Sequence, residues 1–215
     1  MIVLTSTSVP TAWLIARAAG LVAFAFLTAS VWLGLAMSTK LLGTRRMKSL
    51  LGWHQTLMWT GLSMVVLHGA ALVRDPVMKF GLQAVLVPGL APWRTVWVAC
   101  GVVTGWLALT LAISFNVRRR IGQKRWRLLH YMSFAAFALS VGHAINVGTD
   151  LQGVRGLFFA AIALGPVLWL VFARILLPRD VRKPARARSI PPRGTPETAE
   201  VSKLTLGSDR LPVPA

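Results

Sequence analysis

Five apolar stretches, at about 12–38, 53–73, 95–115, 128–148 and 156–177, dominate this chain. Each is long enough to cross a hydrocarbon core of about 30 Å, which takes roughly 20 helical residues. Peptide groups inside lipid have no water to bond, so each run is predicted to be a helix that satisfies its own backbone. The expected fold class is therefore all-α: a polytopic membrane bundle of about five transmembrane helices. With 55% hydrophobic and 14% charged residues and a mean hydropathy of +0.62, the composition excludes an ordinary soluble domain. Gly61, Gly105 and Gly142 lie within the runs and would let helices approach closely in a membrane. The first run is too long for a signal peptide, has no basic residues before it and shows no convincing cleavage site, so it reads as a retained helix. Three segments follow: a short outer N-terminus at 1–11, a membrane domain at 12–177, and a basic, Pro-rich tail at 178–215 that is expected to be disordered.

Charge orients the bundle. Of the 24 Lys and Arg residues, all but Arg17, Arg74, Lys79, Arg94 and Arg155 fall in the loops at 39–51 and 116–127 or beyond the fifth run's outer two-thirds. The positive-inside rule makes that side cytoplasmic, with the N-terminus outside and the C-terminus inside the cytoplasmic membrane. The net charge of +18 flanks apolar spans and forms no soluble basic domain. It fits topology and anionic lipid, and nucleic acid is not an expected partner.

All four histidines lie within the runs. His54 and His68 are fourteen apart on the second, and His130 and His143 thirteen apart on the fourth. The predicted topology makes these two helices parallel, which matches His54 with His130 near the cytoplasmic end and His68 with His143 further out. The two levels are roughly 20 Å apart at 1.5 Å per residue. An ionisable group inside a membrane is costly and marks a function by default. One histidine alone could be a packing residue; four matched in depth fit haem ligation better. The levels are too far apart for all four to share one ion, and a two-histidine site is poor for zinc. The expectation is two haems of b type, held by the axial pairs His54/His130 and His68/His143. A spacing of fourteen returns to nearly the same helix face. A spacing of thirteen misses by about 140° on an ideal helix, so the fourth helix must be overwound or bulged, or must meet its two groups from different sides.

Residues around the histidines carry a resemblance. The segments "LGWHQTLMWTGLSMVVLHGAALVRDP", "VPGLAPWRTVWVACGVVTGWLAL" and "RRRIGQKRWRLLHYMSFAAFALSVGHAINVGTD" resemble the ferric-reductase-like transmembrane domain shared by ferric reductases and NADPH oxidases, in its bacterial form. The histidine spacings match that family's pattern, and the likeness covers about residues 15–177. It implies a bis-histidine, two-haem membrane cytochrome b that carries electrons outward, with His54, His68, His130 and His143 as the iron ligands. Family members usually continue into a flavin- and nicotinamide-binding domain. The 38 residues after the last run are too short for one, and no glycine-rich dinucleotide fingerprint occurs. Electrons are therefore expected from a separate cytoplasmic flavoprotein or from quinol. The alternative is a haem-binding anchor subunit of a two-component periplasmic oxidoreductase, comparable to the membrane partner of methionine sulfoxide reductase.

Further expectations concern the surroundings of the histidines. A ligating imidazole donates its other N–H to an acceptor that fixes the ring, and the carbonyls one turn earlier, at Leu50, Met64, Trp126 and Leu139, are the candidates. Arg125 and Arg127, just before His130, are candidates for haem propionates, with Arg45 and Arg46 in reserve. Arg74, Arg155 and Arg17 are the outer choices. The competing role for each arginine is an interfacial anchor that snorkels to headgroups. Trp53, Trp93, Trp97 and Trp126 fit an aromatic belt, while Trp59 and Trp106 lie deeper. Cys100 is alone and reads as a packing residue. No Asp or Glu lies in a span, which argues against a carboxylate proton relay.

Overall fold

A computed structural model describes residues 11–39, 46–76, 78 and 80–176. Their regular structure is helical throughout: α1 (Thr11–Thr39), α2 (Met47–Val73), α3 (Leu82–Leu86), α4 (Thr95–Ile121), α5 (Gln123–His130), α6 (Met132–Val147), a 3-10 turn at Thr149–Leu151, and α7 (Val154–Leu176). Five helical segments are long and apolar enough to cross a membrane: α1, α2, α4, α5 with α6 as one run, and α7. Their outward faces are apolar too. On α7, Leu157 is 72% exposed and Ile175 73% exposed, and Phe158, Ile162 and Trp169 are comparably open. Such a contiguous apolar exterior belongs against lipid, so the fold is that of a multi-pass membrane protein.

Small residues draw the helices together. Ala16, Ala19, Ala23 and Ser30 are buried on the face of α1 that meets α2, and a Cβ at Gly61 of α2 would lie 2.9 Å from Leu27 Cγ. Without side chains at such points the backbones approach and gain van der Waals contact, the main source of helix association in lipid. One apolar cluster joins α1, α6 and α7 through Leu35, Phe137, Val141, Ala163, Val167 and Leu170, and a smaller one joins α2 to α4 through Leu62, Ala108 and Ala112. Pro166 interrupts the backbone bonding of α7. Nearby, Trp32 Nε1 of α1 donates to the Ala163 carbonyl at 3.1 Å, tying the two helices at that turn.

Several expected boundaries move. The stretch 116–127, expected as a basic loop, is helical but for one residue. Arg118, Arg119 and Arg120 form the last turn of α4, where they complement the helix dipole. Gly122 alone separates it from α5. Its φ of +85° lies where other residues are strained, so glycine lets the chain change direction in a single step. Lys48 likewise belongs to α2 rather than to the loop before it. The connection between α2 and α4 is folded onto the bundle, with Phe80, Ala84 and Ala91 packed against Val98. The expected outer segment up to residue 10, Lys40–Arg45 and the tail from 177 onward lie outside the described residues.

The fourth span is also not one regular helix. It breaks at Tyr131, whose N–H reaches both the Arg127 and Leu128 carbonyls at 3.2 Å, while Phe134 N–H bonds the Tyr131 carbonyl at 3.1 Å. Bonds three residues apart wind the helix more tightly than the α form. Extra rotation is the sense needed to bring His143 nearer to the direction of His130.

Candidate functional site

The four histidines meet as two pairs. His54 of α2 faces His130 at the end of α5, with ring centroids 6.3 Å apart and planes at 73°. His68 of α2 faces His143 of α6, also at 6.3 Å, with planes at 84°. Since the earlier histidine of each helix meets the earlier of the other, α2 and α5–α6 run in the same direction.

The ring nitrogens are committed in a particular way. His54 Nδ1 lies 2.9 Å from the Ser30 carbonyl, His68 Nδ1 lies 2.7 Å from the Ala16 carbonyl, and His143 Nδ1 lies 2.8 Å from the Trp97 carbonyl. A carbonyl only accepts, so each Nδ1 carries the proton and each Nε2 is left with a bare lone pair. The Ser30 hydroxyl reinforces the first seat, 3.0 Å from His54 Nδ1 and 3.3 Å from the His54 carbonyl. These acceptors sit on α1 and α4, not one turn earlier on the histidine's own helix. Leu50, Met64 and Leu139 therefore do not hold the rings. A ring turned back along its own helix would point away from its partner, whereas one anchored to a neighbouring helix is held across the gap.

Glycines make room for this anchoring. A Cβ at Gly20 would lie 3.0 Å from His68 Nδ1, one at Gly34 would lie 3.1 Å from His54 Cε1, and one at Gly101 would lie 2.5 Å from His143 Nδ1. Gly20 and Gly34 are fourteen apart on α1, as His54 and His68 are on α2. That match was visible in the sequence as a second fourteen-residue pair on an adjacent span. Gly142 serves the same interface from the other side, beneath the Trp97 ring, and Gly105 has only an ordinary contact with Val65.

His130 differs from the other three. It lies almost flat on Trp126 of its own helix, at 5.1 Å and 22°. Trp126, expected in an interfacial belt, thus stacks on a candidate ligand, and its Nε1 is buried without a partner among the described residues. Arg125 and Arg127 flank it and are exposed. Arg17 is engaged elsewhere: its guanidinium forms a two-point ion pair with Asp150, with Nε 3.0 Å from Oδ2. This pair joins α1, beside the Ala16 carbonyl, to the turn that follows α6. Asp150, which ends the quoted motif, was not foreseen as its partner.

What can such pairs hold? Two imidazoles on opposite sides of one metal atom, each about 2 Å from it, have ring centres roughly 6 Å apart. The observed separation fits. Among the described residues no three of His, Cys, Asp and Glu gather as a set able to hold a bare ion. Two ligands per level suit a metal whose other donors arrive with it, as in a metalloporphyrin. Protonated Nδ1 atoms on fixed carbonyls, with Nε2 free, supply the tautomer that such ligation needs. Comparison with protein-family models, curated proteins and solved structures finds no match for this chain.

Proposed function

We propose that this protein is a di-haem b-type cytochrome of ferric-reductase-like character, moving electrons across the cytoplasmic membrane from a cytoplasmic flavoprotein or quinol to an outer acceptor. The observation that carries the reading is the pair of 6.3 Å histidine couples on two helices running in the same direction. The distribution of basic residues supports an outer N-terminus and a cytoplasmic C-terminus, which puts His54 and His130 on the inner side and His68 and His143 on the outer.

His54 with His130 and His68 with His143 would each hold a porphyrin iron, which would supply one-electron transfer. The chain's own residues do the rest. His54, His68 and His143 present Nε2 from rings anchored at Ser30, Ala16 and Trp97. Anchoring the N–H raises ligand basicity and restricts ring motion, so that little must rearrange when charge arrives or leaves. The two levels lie roughly 20 Å apart along α2, from fourteen residues at 1.5 Å each. At the inner level Arg125, Arg127 and the buried Trp126 Nε1 are the donors proposed for propionate groups. At the outer level, with Arg17 bound to Asp150, that role falls to Arg74 and Arg155.

Vesicles test the transfer itself. With ferricyanide trapped inside and dithionite added outside, vesicles containing the haem-loaded chain are expected to bleach far faster than protein-free ones. Equal rates would contradict a transmembrane path.

A further inference from the structure

Three of the four histidines share one seat. In each, Nδ1–H donates to the carbonyl of one residue on a neighbouring helix, and the ring lies over a glycine four residues further along. The sets are Ser30 with Gly34 for His54, Ala16 with Gly20 for His68, and Trp97 with Gly101 for His143. The spacing has a physical cause. A helical carbonyl points at the residue four ahead, whose N–H it accepts. The side chain of that residue stands beside the carbonyl's outer lone pair, and only glycine leaves a ring free to reach it.

The register of α4 against α6 shows what stands at the fourth position. Trp97 meets His143, and Thr104 Oγ1 lies 3.3 Å from the Ala136 carbonyl, so the two helices run antiparallel with matched steps. Thirteen residues further along α4 reaches the level of His130, but that step turns Thr110 and Ser114 about 140° from the face of Trp97 and Gly101. The ring of Phe115, 6.1 Å from that of Trp126, shows that α4 and α5 keep this alignment past the break at Tyr131. Fourteen residues along, nearly the same face carries Leu111 and Phe115, so no glycine stands at the corresponding place beside His130. The Leu111 carbonyl accepts the Ser114 hydroxyl at 2.7 Å. Among the described residues His130 makes no hydrogen bond through its ring. Its stack on Trp126 fixes the plane of the imidazole but neither its tautomer nor the direction of Nε2. Moreover, the eight-residue α5 that carries both rings is bounded by Gly122 and by the break at Tyr131.

We infer that His130 is the exchangeable ligand of the four, and that the inner site thereby binds a small neutral ligand such as carbon monoxide, while the outer site does not. The inference rests on the haem reading above. Phe115, where the other seats have glycine, leaves the His130 ring without such an anchor.

Two measurements test it. The dithionite-reduced, haem-loaded chain is titrated with carbon monoxide and its Soret band followed. One ligand per chain is expected, and binding should survive in the His68→Ala/His143→Ala double variant, which lacks the outer pair. Two haems that both refuse carbon monoxide, or binding lost with the outer pair, would overturn the inference while leaving the haem reading intact. Nitrogen-15 histidine spectra of the full chain without haem test the seat directly. Three rings are expected in a single Nδ1–H tautomer and His130 as an average of two. Four identical tautomers would also overturn it. A chain that takes up no haem would instead defeat the parent reading, and these spectra would still report on the seats.

Discussion

Replacing His68 or His143 with alanine is expected to leave one haem per chain where the parent protein holds two, and the survivor should be the inner one. The outer pair stands alone on its side of the bundle, and no third His, Cys, Asp or Glu gathers beside it among the described residues. A lost imidazole therefore has no substitute. His54 and His130 lie about 20 Å away along α2 and share none of the same seats, so their group should be spared. His54→Ala or His130→Ala should do the reverse. Haem counted by pyridine haemochrome, with potentials taken by redox titration, distinguishes the outcomes. Two full haems in either outer variant would show that the pairs are not the ligand sets.

Gly101→Ala should produce nearly the same loss without touching a ligand. A methyl group at this position would lie 2.5 Å from His143 Nδ1 and 2.6 Å from Cε1, closer than side chains approach. The ring must leave the Trp97 carbonyl to make room. His143 would then lose the bond that sets its tautomer and the direction of its Nε2, and ligand supports of this kind are commonly worth 10–100-fold in metal affinity, by the general magnitude for outer-shell partners. Gly105→Ala, one turn along the same helix, is the control, because its methyl would meet only Val65 Cγ1 at 3.6 Å. Outer haem depleted at least tenfold in the first variant, by the same magnitude, and undiminished in the second is the expected result. Equal content in both would mean that the seat does not hold His143. Gly20→Ala and Gly34→Ala fall between, since rings 3.0 to 3.1 Å away need shift by only a few tenths of an ångström.

The spans and the depth matching of the histidines were legible in the chain because both rest on length and on rise per residue, which helices obey closely. Helix ends were less legible. Apolar runs mark where lipid begins, but helices continue past it, so the basic stretch around Arg118 and Arg125 is helical on both sides of Gly122. The thirteen-residue spacing announced a distortion without locating it. Tyr131 carries no Gly or Pro signal, and its tightened turn emerges only from how α5 and α6 pack. The acceptors for the imidazoles were misplaced for a related reason. A local carbonyl is the only one that spacing within a helix offers, while the actual partners are set by register between helices. Gly20 and Gly34 held that register in plain view, and with Ala16 and Ser30 four residues before each, they mirror the histidines across the α1–α2 interface. The Arg17–Asp150 pair joins residues 133 apart in the chain, and no local pattern links them.

The most direct test of the central claim is a dithionite-reduced minus oxidised spectrum of the purified full chain, with haem counted per polypeptide. The account predicts two b-type haems per chain with the sharp α and β bands of low-spin, bis-imidazole iron. Protein free of haem, prepared from cells that load other b-type cytochromes, would contradict it and return all four histidines to a packing role.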